Sequence, residues 1–144
     1  MVFSKILVAY DGSPAADKAL ETAVELAKLN REIRIEALHV AKFPILIIGE
    51  GYISVTPDMQ QKFQEEAEKI ADRARAKLEA AGANHSVQML EGEPASMIAE
   101  YARQNGFDLI LIGSRGMSEL KELFLGSVSH NVVQHSRIPV LVVK

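Results

Sequence analysis

Five short apolar runs, separated by amphipathic stretches, set the tightest limit on what this chain can become. The runs are Ile6–Tyr10, Ile33–Val40, Val87–Leu90, Leu109–Ile112 and Val140–Val143. Each has the length of a strand, and each interval has room for a helix. The alternation predicts an α/β chain, β-α-β-α, with a mostly parallel sheet. Ile6–Tyr10, Leu109–Ile112 and Val140–Val143 are continuously apolar, as expected of strands covered on both faces. Val87-Gln88-Met89 alternates, as expected of a partly exposed edge. The chain has 144 residues, a single-domain length, so 1–144 is expected to be one domain. No repeat, low-complexity tract or Gly/Ser linker divides it.

The helices carry start and stop signals. Ser13 before Pro14 reads as an N-cap with proline at the first helical position. Leu20, Ala23, Val24 and Ala27 then share one face, up to about Asn30. The longest helix is expected from about Met59 to Ala81, with Met59, Phe63, Ile70, Ala74 and Leu78 inward and Gly82 as its stop. Glu65 with Lys69, and Arg75 with Glu79, stand four apart and predict a solvated outer face. Pro94 opens a third helix carrying Ile98 and Ala102, and Asn105-Gly106 closes it. A fourth is expected from about Val128 to Ser136. The apolar stretch Phe43–Tyr52 reads as a loop that acts as a lid, offers a contact surface or packs on its own domain.

Composition removes several function classes. Sixteen basic and 19 acidic residues give a net charge of −3, which disfavours nucleic acid and anionic membranes as partners. With no cysteine, disulfides, thiolate catalysis and Cys-based metal sites are excluded. No apolar run is long enough to span a membrane and Met1–Lys5 does not read as a signal peptide, so a cytoplasmic location is expected. His39, His85, His130 and His135 show no metal-ligand spacing. There is no GxxxxGK(S/T), no GxGxxG after the first strand and no GxSxG. Parts for binding are visible; a catalytic acid–base pair is not.

In an open parallel sheet, ligands bind beyond the carboxyl ends of the strands where the strand order reverses. Asp11-Gly12-Ser13 follows the first run, and Val40 ends the second. Gly113-Ser114-Arg115-Gly116 follows the fourth, and Gly126-Ser127-Val128 comes after nine intervening residues. Glycines there let backbone N–H groups approach phosphate oxygens. Gly126-Ser127 opens a helix, whose N-terminus favours an anion. Ser114 and Ser127 offer hydroxyls and Arg115 a charge. The spacing arises by chance in on the order of 0.3% of such chains. Simple turn formation is the competing account of these glycines. Asp11 reads either as a turn residue or as a ligand contact to a ribose hydroxyl, an adenine amine or Mg²⁺. Val40 would offer its backbone to a base edge.

The chain resembles the universal stress protein family, of the UspA type, over essentially its whole length. The segments that carry the resemblance are Ile6–Ser13, Leu38-His39-Val40, Asp108–Gly116, Leu125–Ser129 and Ile138–Val143. The G-x2-G-x9-G-S/T spacing of Gly113, Gly116, Gly126 and Ser127 marks the family's ATP-binding branch. The resemblance implies a three-layer α/β/α sandwich, adenine nucleotide alpha hydrolase-like, with a five-stranded parallel sheet in the order 3-2-1-4-5. Asp11 and Val40 would hold the adenosine, and Gly113, Arg115 and Gly116 would lie along the ribose and phosphates. Gly126, Ser127 and Val128 would close on the phosphates. Ile112, which ends the fourth run, is counted among these contacts.

It further implies ATP with accompanying Mg²⁺, no metal site of the protein's own, a regulatory stress-response role and at most slow hydrolysis. Homodimers would form through the last strand, Pro139–Lys144, whose apolar edge independently invites pairing. The alternative is an interaction module with an empty or vestigial nucleotide site. An ATP pyrophosphatase or adenylyltransferase would need SGGxDS or HxGH where Asp11-Gly12-Ser13-Pro14 stands. A phospho-acceptor receiver would need an aspartate after strand three, where Glu91 and Glu93 lie.

Overall fold

The computed structural model describes residues 3–42, 47–48, 51–52, 55–116 and 125–144. The chain runs β1 (Lys5–Ala9), α1 (Pro14–Leu29), β2 (Arg34–Ala41), β3 (Ile47–Ile48), β4 (Gly51–Tyr52) and α2 (Pro57–Ala80). It continues through β5 (His85–Glu91), α3 (Pro94–Gln104), β6 (Leu109–Gly113), α4 (Ser127–His135) and β7 (Val140–Val143). Five strands form one parallel sheet in the order β5-β2-β1-β6-β7. Counting only these five, the order is 3-2-1-4-5, as the resemblance implied.

Successive residues of a strand face opposite sides of its sheet, so a continuously apolar strand supplies two cores. Ile6, Val8, Leu109 and Leu111 pack with α1 and α2, around Leu20, Ala74 and Leu78. Leu7, Ala9, Ile110 and Ile112 pack with α3 and α4, around Ile98, Ala102 and Val132. Three layers result. Among the described residues, no helix is long and apolar enough to cross a membrane.

Several local expectations need correction. Phe43–Tyr52 is not a plain loop: β3 and β4 pair antiparallel, Ile47 with Tyr52 and Ile48 with Gly51. The rest of that stretch lies outside the described residues. The buried line of α2 is Ala67, Ala71, Ala74 and Leu78, while Met59 is 41% exposed. The apolar spacing pointed to Met59 and Phe63, but the first turns of α2 lie ahead of the residues that reach the sheet. The outer ion pairs of α2 join other partners, Lys69 to Glu66 and Arg75 to Asp72, three apart. Finally, β7 lies at the sheet edge, as the implied order had it, but it is not fully covered on both faces: Leu141 is 41% exposed. Differences of one or two residues at element ends reflect hydrogen bonding that continues past the apolar run, as where β5 pairs with β2 from His85 to Glu91.

Candidate functional site

α1 returns the chain from β1 to β2 on one side, while α3 carries it from β5 across to β6 on the other. The strand order therefore reverses between β1 and β6, and a crevice opens beyond their carboxyl ends. A cavity of about 160 Å³ lies there. Asp11 and Ser13 line it from the β1–α1 turn, and Leu38 and Val40 from β2. Ile112, Gly113, Arg115 and Gly116 line it from β6 and the turn after it, with Pro94 and Ile98 of α3 and Val128 and Ser129 of α4. Seven of the nine expected site residues thus share one cavity: Asp11, Val40, Ile112, Gly113, Arg115, Gly116 and Val128.

Gly126 and Ser127 do not line it. Gly126 is the N-cap of α4, and its N–H donates to Ser114 O at 2.7 Å. It is therefore spent on holding the two segments together rather than offered to a ligand. Ser129 Oγ reaches the same carbonyl at 3.1 Å, and Ser114 N donates to Val143 O at 2.7 Å. These bonds bring the turn after β6 onto the start of α4. Ser127 is the exposed first residue of α4.

The β1–α1 turn is built by its own residues. Gly12 has φ +80°, which glycine adopts without strain. Asp11 Oδ1 accepts from Ser13 N at 2.9 Å, and Ser13 Oγ accepts from Ala16 N at 3.1 Å, capping α1. Asp11 thus does perform the turn role that the sequence left open, while still lining the cavity. Pairing of β1 with β2 ends at Ala9 with Leu38. The side of Val40 that a longer β1 would cover therefore opens on the cavity.

Gly113 has a tight structural duty. A Cβ there would stand 2.7 Å from the carbonyl carbon and from the Cβ of Ala15. Only a glycine lets α1 sit this close to β6.

The charges are sparse and ordered. Among the described residues lining the cavity, Asp11 and Arg115 are the ionic ones, and most others are apolar. Three helices begin at the rim, α1, α3 and α4, and the last two have no side-chain cap bond. Their N-terminal N–H groups and dipoles favour an anion at this mouth. The Tyr10 hydroxyl donates to Asp17 Oδ1 at 2.5 Å, and burial, then Asp17, pushes its pKa well above 10. It stays a donor at neutral pH. Among the described residues, no group of three His, Cys, Asp or Glu could hold a metal ion.

His39 is buried beside Val40, and its Nδ1 lies 2.9 Å from Tyr10 O. A carbonyl only accepts, so Nδ1 carries the proton. Burial lowers the pKa of His39 from 6.5, opposed by that bond and by Asp11. The fold therefore favours neutral His39. Its contribution to stability is complete above 6.5 and is lost as pH falls through the lower folded value. Urea denaturation followed from about pH 7 to 5 should show stability falling with pH, and His39→Asn should flatten that slope. An unchanged slope in the variant would assign the acid sensitivity to other groups.

Several lining residues carried no signal as ligand contacts. Ala9 and Leu38 read as parts of apolar runs, Ile98 as a helix face and Pro94 as a helix start. Ser13 was legible as a cap and as part of the turn after the first run, and Ser129 only as part of the family segment Leu125–Ser129.

A model of the universal stress protein family matches residues 3–144. Universal stress protein YxiE of Bacillus subtilis is 38% identical, with 99% of this chain and all of the relative covered. The solved structure of MJ0577, from Methanocaldococcus jannaschii, superposes with a TM-score of 0.83 at 29% identity, covering 100% of this chain and 97% of that one. The universal stress protein from Archaeoglobus fulgidus solved with dAMP has the same fold, with a TM-score of 0.72 at 24% identity and full coverage of both chains. A parallel sheet in this order, the glycine turn after β6 latched to α4, and a family match over residues 3–144 converge: the chain belongs to the universal stress protein family.

Proposed function

We propose that this protein binds an adenine nucleotide, ATP with accompanying Mg²⁺, in the cavity between β1 and β6. Binding would act as a regulatory signal rather than as a step of rapid catalysis. The observation that carries this reading is the cavity itself. Three helix N-termini surround a slot whose described lining is mostly apolar and carries one carboxylate, Asp11, and one guanidinium, Arg115. The slot suits a base, Asp11 a ribose hydroxyl or adenine amine, and the helix N-termini with Arg115 suit phosphates. At about 160 Å³ the cavity has room for the base, with the ribose towards its open mouth. The phosphates would lie over the Gly113–Gly116 turn and the start of α4, beside Ser127. Proteins of this fold have been solved with AMP, dAMP and cAMP, which supports the adenine preference.

The residues fit Mg²⁺ only as a companion of the phosphates. Among the described residues that line the cavity, Asp11 is the one carboxylate, and one of its oxygens already accepts from Ser13. In this reading hydrolysis would be slow at most. The working unit would be residues 1–144 in the cytoplasm, as a homodimer joined through Pro139–Lys144.

Mass spectrometry of nucleotide released from the denatured protein, followed by ATP/Mg²⁺ calorimetry, tests the reading. Co-purified adenine nucleotide or micromolar binding is expected. Asp11→Ala should weaken binding about tenfold and lower stability by about 1 kcal/mol, because the Ser13 N–H loses its acceptor. No nucleotide and no heat would overturn the reading and favour an interaction module with a vestigial site.

A further inference from the structure

The cavity is held from behind by α2, a helix that does not line it. Ile70, Arg73 and Lys77 stand three and four residues apart on α2, one face of the helix. Ile70 lies within 3.6 Å of where a Cβ of Gly12 would be. Arg73 Nη1 donates to Gly12 O at 3.2 Å, and its Nη2 donates to Asp17 Oδ2 at 2.6 Å. Asp17 is itself fixed by the Tyr10 hydroxyl at 2.5 Å and by Lys77 at 3.6 Å. The guanidinium is thus anchored at one end and grips the turn with the other.

One peptide unit is gripped on both sides. Gly12 O and Ser13 N–H belong to the same peptide bond, which is trans. In a trans peptide the C=O and N–H point in opposite directions. Arg73 holds the carbonyl end, and Asp11 Oδ1 takes the N–H end at 2.9 Å. A glycine at φ +80° gives the backbone the freedom to rotate this plane. Were it to turn, Asp11 would lose its backbone donor and its fixed direction in the cavity.

We infer that Arg73 is a positioning residue: by locking the Gly12–Ser13 peptide plane, it orients the Asp11 carboxylate that receives the nucleoside. The inference rests on the proposed nucleotide site, but its first half stands without a ligand. Through Arg73, α2 is mechanically joined to the cavity.

Arg73→Lys keeps the positive charge for Asp17 but replaces the flat two-pronged donor with a compact one. Amide exchange at Ser13, read by NMR in the ligand-free protein, should quicken about tenfold in this variant. ATP affinity should fall about fivefold to tenfold, and in an Asp11→Ala background Arg73→Lys should change affinity by less than about twofold. Unchanged Ser13 exchange overturns the inference, whatever the nucleotide result. An equal affinity loss in both backgrounds also overturns it, since Arg73 would then act apart from Asp11. If the wild-type protein binds no nucleotide, the proposed function fails and the ligand half with it. Ser13 exchange then decides the peptide lock alone.

Discussion

Gly113→Val should lower stability by about 3 kcal/mol, read as a shift in the urea midpoint. The side chain would be driven against Ala15, where even a lone Cβ comes within 2.7 Å of the carbonyl carbon and 2.9 Å of the oxygen. Backbone atoms cannot swing aside as a flexible side-chain tip can, so α1 must lift from β6. That shift would propagate into the Ser13 cap and the cavity. A loss below about 0.5 kcal/mol would mean that this contact yields easily, contrary to the packing seen here. The consequence for function is direct. A glycine after a buried strand invites reading as a phosphate contact, and Gly113→Val then looks like a clean test of binding. The close approach of Ala15 makes it a test of folding first. Arg115→Ala, at an exposed position on the cavity mouth, separates the two.

Leu141→Asp should turn the proposed homodimer into a monomer, seen by light scattering, with helix content unchanged by circular dichroism. Leu141 sits in the edge strand β7 with 41% of its surface open, and Val133 of neighbouring α4 is 44% exposed. An apolar edge strand with unpaired backbone groups gains most by pairing with a second copy across a two-fold axis. A carboxylate at its centre would have to be buried unpaired in that interface, which costs far more than it does on a free surface. If the wild-type protein is already monomeric, the edge is protected in another way and the dimer proposal fails. If the variant remains dimeric, the interface lies elsewhere.

Much of the fold was legible because it depends on local pattern. The runs Ile6–Tyr10 and Leu109–Ile112 could be placed as central strands, since both of their faces are apolar and both are buried. Ser13-Pro14, Pro94 and Gly82 gave helix ends correctly, because capping is settled within a few residues. α2 was less legible. Met59 and Phe63 share the helical spacing of Ala74 and Leu78, but spacing does not say which turns lie over the sheet. β7 misled in part: its four apolar residues predicted cover on both sides, although the implied strand order already put it at the sheet edge, where Leu141 stays open.

The sequence by itself determined the five apolar runs, the caps, the glycine spacing after Ile112 and the family to which these belong. These are properties of near neighbours along the chain, set by strand and helix periodicity and by the conformational freedom of glycine. Only the tertiary structure decided what each glycine and acid does. Gly113 makes room for Ala15, Gly126 spends its N–H on Ser114, and Gly12 presents its carbonyl to Arg73. The partners in those contacts lie from 12 to 98 positions away in sequence. Such contacts depend on how strands and helices stack, and no local pattern specifies them.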